Sequence, residues 1–233
     1  MEQHNKIINN AAKKILAPEG LFRIGSSRSW LDDNDYFLII VEFQQSGFSK
    51  GSYLNVAVSF LWEKTKEMNE CLGFDYGDRV LVNGKQFAEY RGAFKDKDEK
   101  FTANIEEFAI AALKKINEYR KFIDLDYAKK MLEEKSTSDN AMFWEVYDLA
   151  MLCFFKQDFD EGKKYFSDYL DILKQNFDIE WHKEFYNYCL KEMVPQLKSA
   201  ETAQRMVFDM INRRRQFFNN KTSYKKMKKD IWF

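Results

Sequence analysis

The chain has 233 residues with 37 basic and 37 acidic side chains. That length can bury the core of one or two domains, and the balanced charge removes any global attraction to nucleic acid or to an anionic membrane. Aromatic residues are abundant (22 Phe, 12 Tyr and 5 Trp) against two Pro and nine Gly, which favours long helices over a many-stranded sandwich or a dinucleotide-binding fold.

In chain order, Ile7 to Leu16 reads as an amphipathic helix stopped by Pro18 and Gly20. Phe22 to Leu31 reads as a first strand with a bend or bulge at Gly25, and Asp32-Asp-Asn-Asp35 as a turn. The strongest signal follows. Tyr36 to Phe43 is a near-continuous apolar run, and Tyr53 to Trp62 alternates in period two, placing Leu54, Val56, Val58, Phe60 and Trp62 on one core-covering face. Asn83-Gly84 signals a weakly flanked hairpin. Lys95 to Lys100 reads as a solvated loop, and helix dominates from Asn104.

The remainder reads as helical. Ser136 to Asn140 offers N-caps, and Phe143 to Phe155 is apolar on most faces, hence buried. Asp158 with Glu161 has the spacing of a capping box, and Asp178 and Ser199 are further cap candidates. The fold class expected is α+β: an N-terminal antiparallel sheet with helices, residues 1–122, then an all-helical half of antiparallel helical hairpins, residues 123–233. No Gly/Ser/Pro linker separates them, so one shared core stays open.

Leu149-Ala150, Cys153, Phe159, Gly162, Phe166 and Tyr169 resemble the small–large spacing of one tetratricopeptide hairpin over about residues 143–175. Gly162 stands where that family usually has Ala, and no second copy of the ~34-residue unit follows. The resemblance implies a helical hairpin. At the other end of the chain, the quoted features are an amphipathic first helix, Leu21-Phe22-Arg23-x-Gly25 with Trp30, and a hairpin carrying Phe43-Gln-x-Ser46 and Tyr53-Leu-Asn55-Val56. Over roughly residues 1–62 they resemble a family of bacterial domains of unknown function. That resemblance implies no catalytic residues. Small bacterial proteins of this kind include toxin-neutralising immunity proteins, an analogy of class only.

Chemistry is sparse. Cys71, Cys153 and Cys189 are odd in number, widely spaced and set among apolar neighbours, as expected of core residues in a reduced, cytoplasmic protein. The polar N-terminus has no apolar segment of a signal peptide, and no run approaches ~18 apolar residues, so no membrane association is expected. His4 falls in an expected frayed terminus and His182 on an expected helix surface; neither has a ligand cluster beside it, so no metal or cofactor is expected. There is no H-E-x-x-H, P-loop or G-x-G-x-x-G.

Three functional readings follow. The first is a non-catalytic protein-interaction module, immunity-type by analogy, contacting a protein partner through Phe48 and Lys50 of the hairpin loop; whether Phe48 projects or folds back stays open. The alternative is a small-ligand binder or enzyme with a pocket between sheet and helices, where Arg23, Arg28 and Gln44 supply polar contacts. The third is nucleic-acid binding by the tail carrying Arg213-Arg-Arg215, Lys221, Lys225-Lys226 and Lys228-Lys229 with interleaved Phe217, Phe218, Tyr224 and Trp232. It ranks last, because the chain is neutral. A structural tail is expected instead, with Met206, Val207, Met210 and Ile211 anchored and Arg213 and Arg215 facing solvent.

Overall fold

The computed structural model describes residues 2–91, 96–137, 143–228 and 230–231. The chain packs as two units, each discontinuous in sequence: Met1–Ser59 with Phe74–Arg120 and Asn219–Lys228, and Phe60–Gly73 with Lys121–Phe218 and Lys229–Phe233. The boundary near residue 120 lies beside the 122/123 division expected from sequence. Residues 60–73, however, pack with the helical unit and residues 219–228 with the sheet unit.

In the sheet unit, α1 (Gln3–Leu16) buries Ile7, Ile8, Ala11, Ala12 and Leu16, one face of a 3.6-residue period. A 3₁₀ turn holding Pro18 then ends at Gly20. The sheet is antiparallel, with β1 (Phe22–Arg23), β2 (Ser29–Asn34), β3 (Phe37–Gln44), β4 (Gly51–Phe60) and β5 (Tyr76–Arg79) side by side in chain order. The last strand, β6 (Phe87–Glu89), pairs with β4 next to β5.

Two local expectations change. The segment 22–31 is a hairpin rather than one bent strand: Phe22 pairs with Leu31, and the chain reverses at Gly25. Asp32 to Asn34 belongs to β2, and the turn is Asp35-Tyr36, with Asp35 at φ 65°. A strand tolerates Asp32 because Arg120 donates to its carboxylate at 2.8 Å and Asn34 donates to it at 3.2 Å. Burial here is paired with charge rather than avoided.

β4 is buried on both faces, not one. Leu54, Val56, Val58 and Phe60 are inside, and so are Asn55, Ala57 and Ser59 between them. Small or hydrogen-bonded side chains at the alternate positions let that second face close. Asn83 and Gly84 both take positive φ, and Val82 and Lys85 exchange two backbone hydrogen bonds around them, a tight hairpin between β5 and β6. The charge run does not stay in a loop: α3 (Lys97–Tyr119) starts inside it and buries Phe101, Ile105, Phe108, Ala109, Ala112, Ile116 and Tyr119. The expected contribution of Lys95 lies outside the described residues.

The helical unit holds α2 (Lys66–Asn69), α4 (Leu125–Ser136), α5 (Phe143–Lys156), α6 (Phe159–Gln175), α7 (Glu180–Tyr188) and α8 (Ala200–Asn219). The Asp124 carboxylate caps α4 through the amides of Asp126 and Tyr127. Ser199 caps α8 by accepting from the Thr202 amide at 3.3 Å. Asp158 occupies the N-cap position of α6 but makes no cap bond; its carboxylate is drawn to Lys156 at 2.7 Å. Asp178 precedes α7 by two residues and Ile179 takes the cap position. The caps expected at 138–140 lie outside the described residues, as do Lys229 and Trp232.

α5 is buried on most of its circumference and packs on α6. The two meet closely at Gly162, where a Cβ would lie 2.5 Å from the Phe154 ring. Beyond them an aromatic cluster fills the unit: Tyr147 and Tyr169 centroids are 5.0 Å apart, Trp144 stacks on Trp181 at 5.7 Å, and Phe185 closes edge-on against Tyr147 at 5.6 Å. Ring burial on this scale accounts for the aromatic composition.

Both histidines depart from expectation. His4 is buried and stacked on Tyr90, so the terminus is held rather than frayed. His182 is buried against Phe143 and Trp181. Arg215 is wholly buried instead of facing solvent, whereas Arg213 is exposed. The apolar stripe of α8 is buried as expected, and Phe208 stacks on Phe155 at 5.0 Å.

Gly162→Ala should destabilise by about 1–3 kcal/mol, because overpacking against Phe154 outweighs the helix preference for Ala; a urea melt with an unshifted midpoint would contradict this. Burial lowers the pKa of both His4 and His182 below 6.5. The unfolded chain then binds more protons below that value, so stability falls as pH drops through the window beneath it. His182→Gln should flatten that slope in chemical denaturation series between pH 7 and pH 5.

Candidate functional site

The best-formed concavity within a single unit is a cleft of about 840 Å³ in the helical unit. Its walls are two helices that present the same spacing. α7 contributes Trp181, Glu184, Phe185 and Tyr188, and α8 contributes Met210, Arg213, Arg214 and Phe217. Steps of three, four and seven residues keep each set on one helix face. Glu63, Lys64, Thr65, Asn69 and Glu70 complete the lining, and a π-helical turn, Cys189–Met193, contributes Glu192.

Internal pairing fixes the cations of this cleft. Arg213 makes a two-pronged pair with Glu63, both distances 2.7 Å, and the Tyr188 hydroxyl donates to the same carboxylate at 3.2 Å. Bidentate geometry of this kind is the strong form of the ion pair. Lys64 is buried against Asp148 at 3.0 Å, and the Trp62 indole donates to that aspartate at 2.8 Å. Arg214 donates to the backbone carbonyls of Phe60, Trp62, Met68 and Cys71. The Tyr147 hydroxyl donates to the Glu63 carbonyl at 2.5 Å. Burial and the neighbouring Glu63 carboxylate push the Tyr188 hydroxyl well above its usual pKa, so it stays a protonated donor.

Among the lining acids, Glu184 makes no hydrogen bond or ion pair with the described residues, and Glu192 has only an exposed neighbour, Lys191, at 3.5 Å. The cleft therefore offers aromatic walls and negative charge, with its positive charge already engaged.

The residues singled out from sequence lie in the sheet unit. Phe48 projects fully into solvent at the hairpin loop, and Lys50 reaches Glu2 at 3.3 Å. Arg28 and Gln44 come together in a shallow groove of about 370 Å³ with Asn5, Asn9 and Glu42. There Arg28 donates to Asn5 and to the Gly51 carbonyl. Gln44 also accepts from Arg79 at 2.6 Å and from Asn55 at 3.1 Å. Arg23 is not part of that groove, since it folds back on the carbonyls of Ser26 and Ser27. Sequence reading passed over Gly47-Phe48-Ser49-Lys50-Gly51, which has the G-x-S-x-G spacing of a nucleophile elbow. That motif needs a strand-to-helix turn, and here it forms the loop between two strands. Glu63 and Arg213 are 150 residues apart, so no local pattern marks the cleft beyond the shared three-, four- and seven-residue spacing along α7 and α8.

One further cluster carries ligand-type atoms. Cys153, Asp158 and Glu161 converge within 4.8 Å, but Lys129 pairs with both carboxylates and Lys156 with Asp158. Burial holds the Cys153 thiol protonated, its pKa pushed up to about 12, and the Lys156 contact lowers that of Asp158. Ammonium groups occupy the positions a cation would take. No protein-family model, curated protein or solved structure matches this chain.

Lys64→Met strands a buried aspartate and should cost about 3–5 kcal/mol, while Lys64→Met with Asp148→Leu recovers much of that loss. Phe48→Ser should stay within about 0.5 kcal/mol of the parent, because the ring touches nothing. Thermal and urea unfolding of the three variants checks both, and equal midpoints for Lys64→Met and the parent would refute the first.

Proposed function

We propose that this protein is a binding module that docks a protein partner in the cleft between α7 and α8. The observation that carries this reading is the state of the cleft: its cations and Glu63 are locked into internal pairs, leaving rigid aromatic walls around an open volume. Glu184 makes no hydrogen bond with the described residues that would orient it, whereas a catalytic site holds its base toward a reacting atom. Aromatic side chains on a rigid frame are the groups that anchor protein interfaces.

A second contact is favoured by one observation. Phe48 is a large apolar ring held wholly in water at a loop tip, where a partner surface could bury it.

The test replaces single aromatic residues with the photo-crosslinker p-benzoylphenylalanine in cells. Replacement at Phe217, in the cleft, should yield one defined protein adduct, and replacement at Phe177, outside it, none. Adducts equal at both positions, or absent at Phe217, would remove the cleft reading. An adduct at Phe48 alone would move the docking site to the loop.

A further inference from the structure

We infer that the cleft of the helical unit selects a basic protein segment, seating two arginine or lysine side chains of an extended stretch between α7 and α8. This rests on the cleft being the docking site and adds the chemistry of what it takes.

The argument is charge complementarity within a defined volume. The three lining cations are Lys64, Arg213 and Arg214. Lys64 is buried on Asp148, Arg213 is held by both oxygens of Glu63, and Arg214 is engaged by four backbone carbonyls. Lys64 and Arg214 are buried in these arrangements and Glu63 balances the charge of Arg213, so an incoming anion meets no uncompensated cation. The unengaged charge is of the opposite sign. Glu184 has no partner among the described residues, and Glu192 has only a solvent-exposed lysine beside it in sequence.

The aromatic lining points to the same chemistry. Trp181, Phe185, Tyr188 and Phe217 line the same cleft as these carboxylates. An aromatic face attracts a cation and packs against the methylene stem that carries it. A carboxylate next to an indole or phenol ring suits an arginine or lysine side chain better than it suits a purely apolar or an anionic group.

Spacing selects the backbone form. Glu184 and Glu192 are eight residues apart along α7 and the π-helical turn that continues it, roughly 10–12 Å, because the wider π turn rises less per residue than an α-helix. In an extended segment, residues four apart are separated by about 13 Å and point to the same side. Two basic residues at positions i and i+4 of an extended segment therefore meet both carboxylates.

The experiment uses the full chain and three fluorescein-labelled octapeptides of leucine and serine, carrying at positions 2 and 6 two arginines, two glutamates or two glutamines. Fluorescence anisotropy should show the arginine peptide binding at least tenfold tighter than the other two. That preference should fall between 50 and 300 mM salt, since Debye screening of exposed charge strengthens over this range. Glu184→Gln with Glu192→Gln keeps the shape of the cleft and should reduce arginine-peptide affinity at least tenfold without shifting the melting temperature.

If the three peptides bind equally and binding is lost on Trp181→Ala, the cleft is a docking site and the basic assignment is wrong. If the arginine peptide binds the double variant undiminished, it sits elsewhere and the inference is overturned. Failure of every peptide to bind also overturns it, while the crosslink from Phe217 still judges the docking site separately.

Discussion

The helical unit depends on how Arg214 treats the chain that leaves β4. Backbone carbonyls of Phe60, Trp62, Met68 and Cys71 converge on one guanidinium, which is almost fully buried. Irregular backbone can be buried only if its polar groups find partners. Arginine suits the task because its planar fork presents several donors at fixed angles and never loses its charge. Four carbonyl dipoles in turn stand in for the water that the buried cation gives up.

Two neighbouring arrangements follow from that anchoring. With the segment held, Glu63 is fixed in place to receive Arg213 and Tyr188, and Lys64 reaches Asp148 beside the Trp62 indole. Three consecutive arginines on α8 consequently do different things. Arg213 pairs at the cleft rim, Arg214 organises the segment, and Arg215 is wholly buried. Within the basic run Arg214 and Arg215 are buried, whereas Arg213, Lys221, Lys225, Lys226 and Lys228 are exposed, and Lys228 pairs with Asp35 at 2.6 Å. Surface charge of this kind contributes little to stability.

The sheet unit solves a different problem. β4 is covered on both sides, so its alternate positions cannot be solvated; the Ser59 hydroxyl is buried without a hydrogen-bond partner, whereas Asn55 finds internal ones. Asn55 donates to Glu42 and Gln44, Arg79 donates to Gln44, and the Arg79 guanidinium lies 4.1 Å from the centre of the Tyr53 ring. Gln44 is thus tied into this network. Its position beside Arg28 makes a groove, in which Arg28 donates to Asn5 and Gln44 accepts from Asn55.

Sequence alone determined the elements whose signal is local. The faces of α1, α3 and α5 were legible because apolar residues recur at the helical period, and β3 and β4 because β-formers flank a turn-rich loop. Asn83-Gly84 was legible because few residues accept positive φ in succession. Tertiary structure decided where charge and rings go. Nothing near His4 in the chain marks it for burial, since its ring partner Tyr90 lies far along the sequence, and His182 is closed in by Phe143 of α5 as well as by its neighbour Trp181. Asp32 looked like a turn residue until Arg120, 88 residues away, supplied its counter-charge. The cleft is the extreme case: Glu63 meets Arg213 across 150 residues. Periodicity reports which face of a helix is buried, but it carries no record of which distant charge that face will meet.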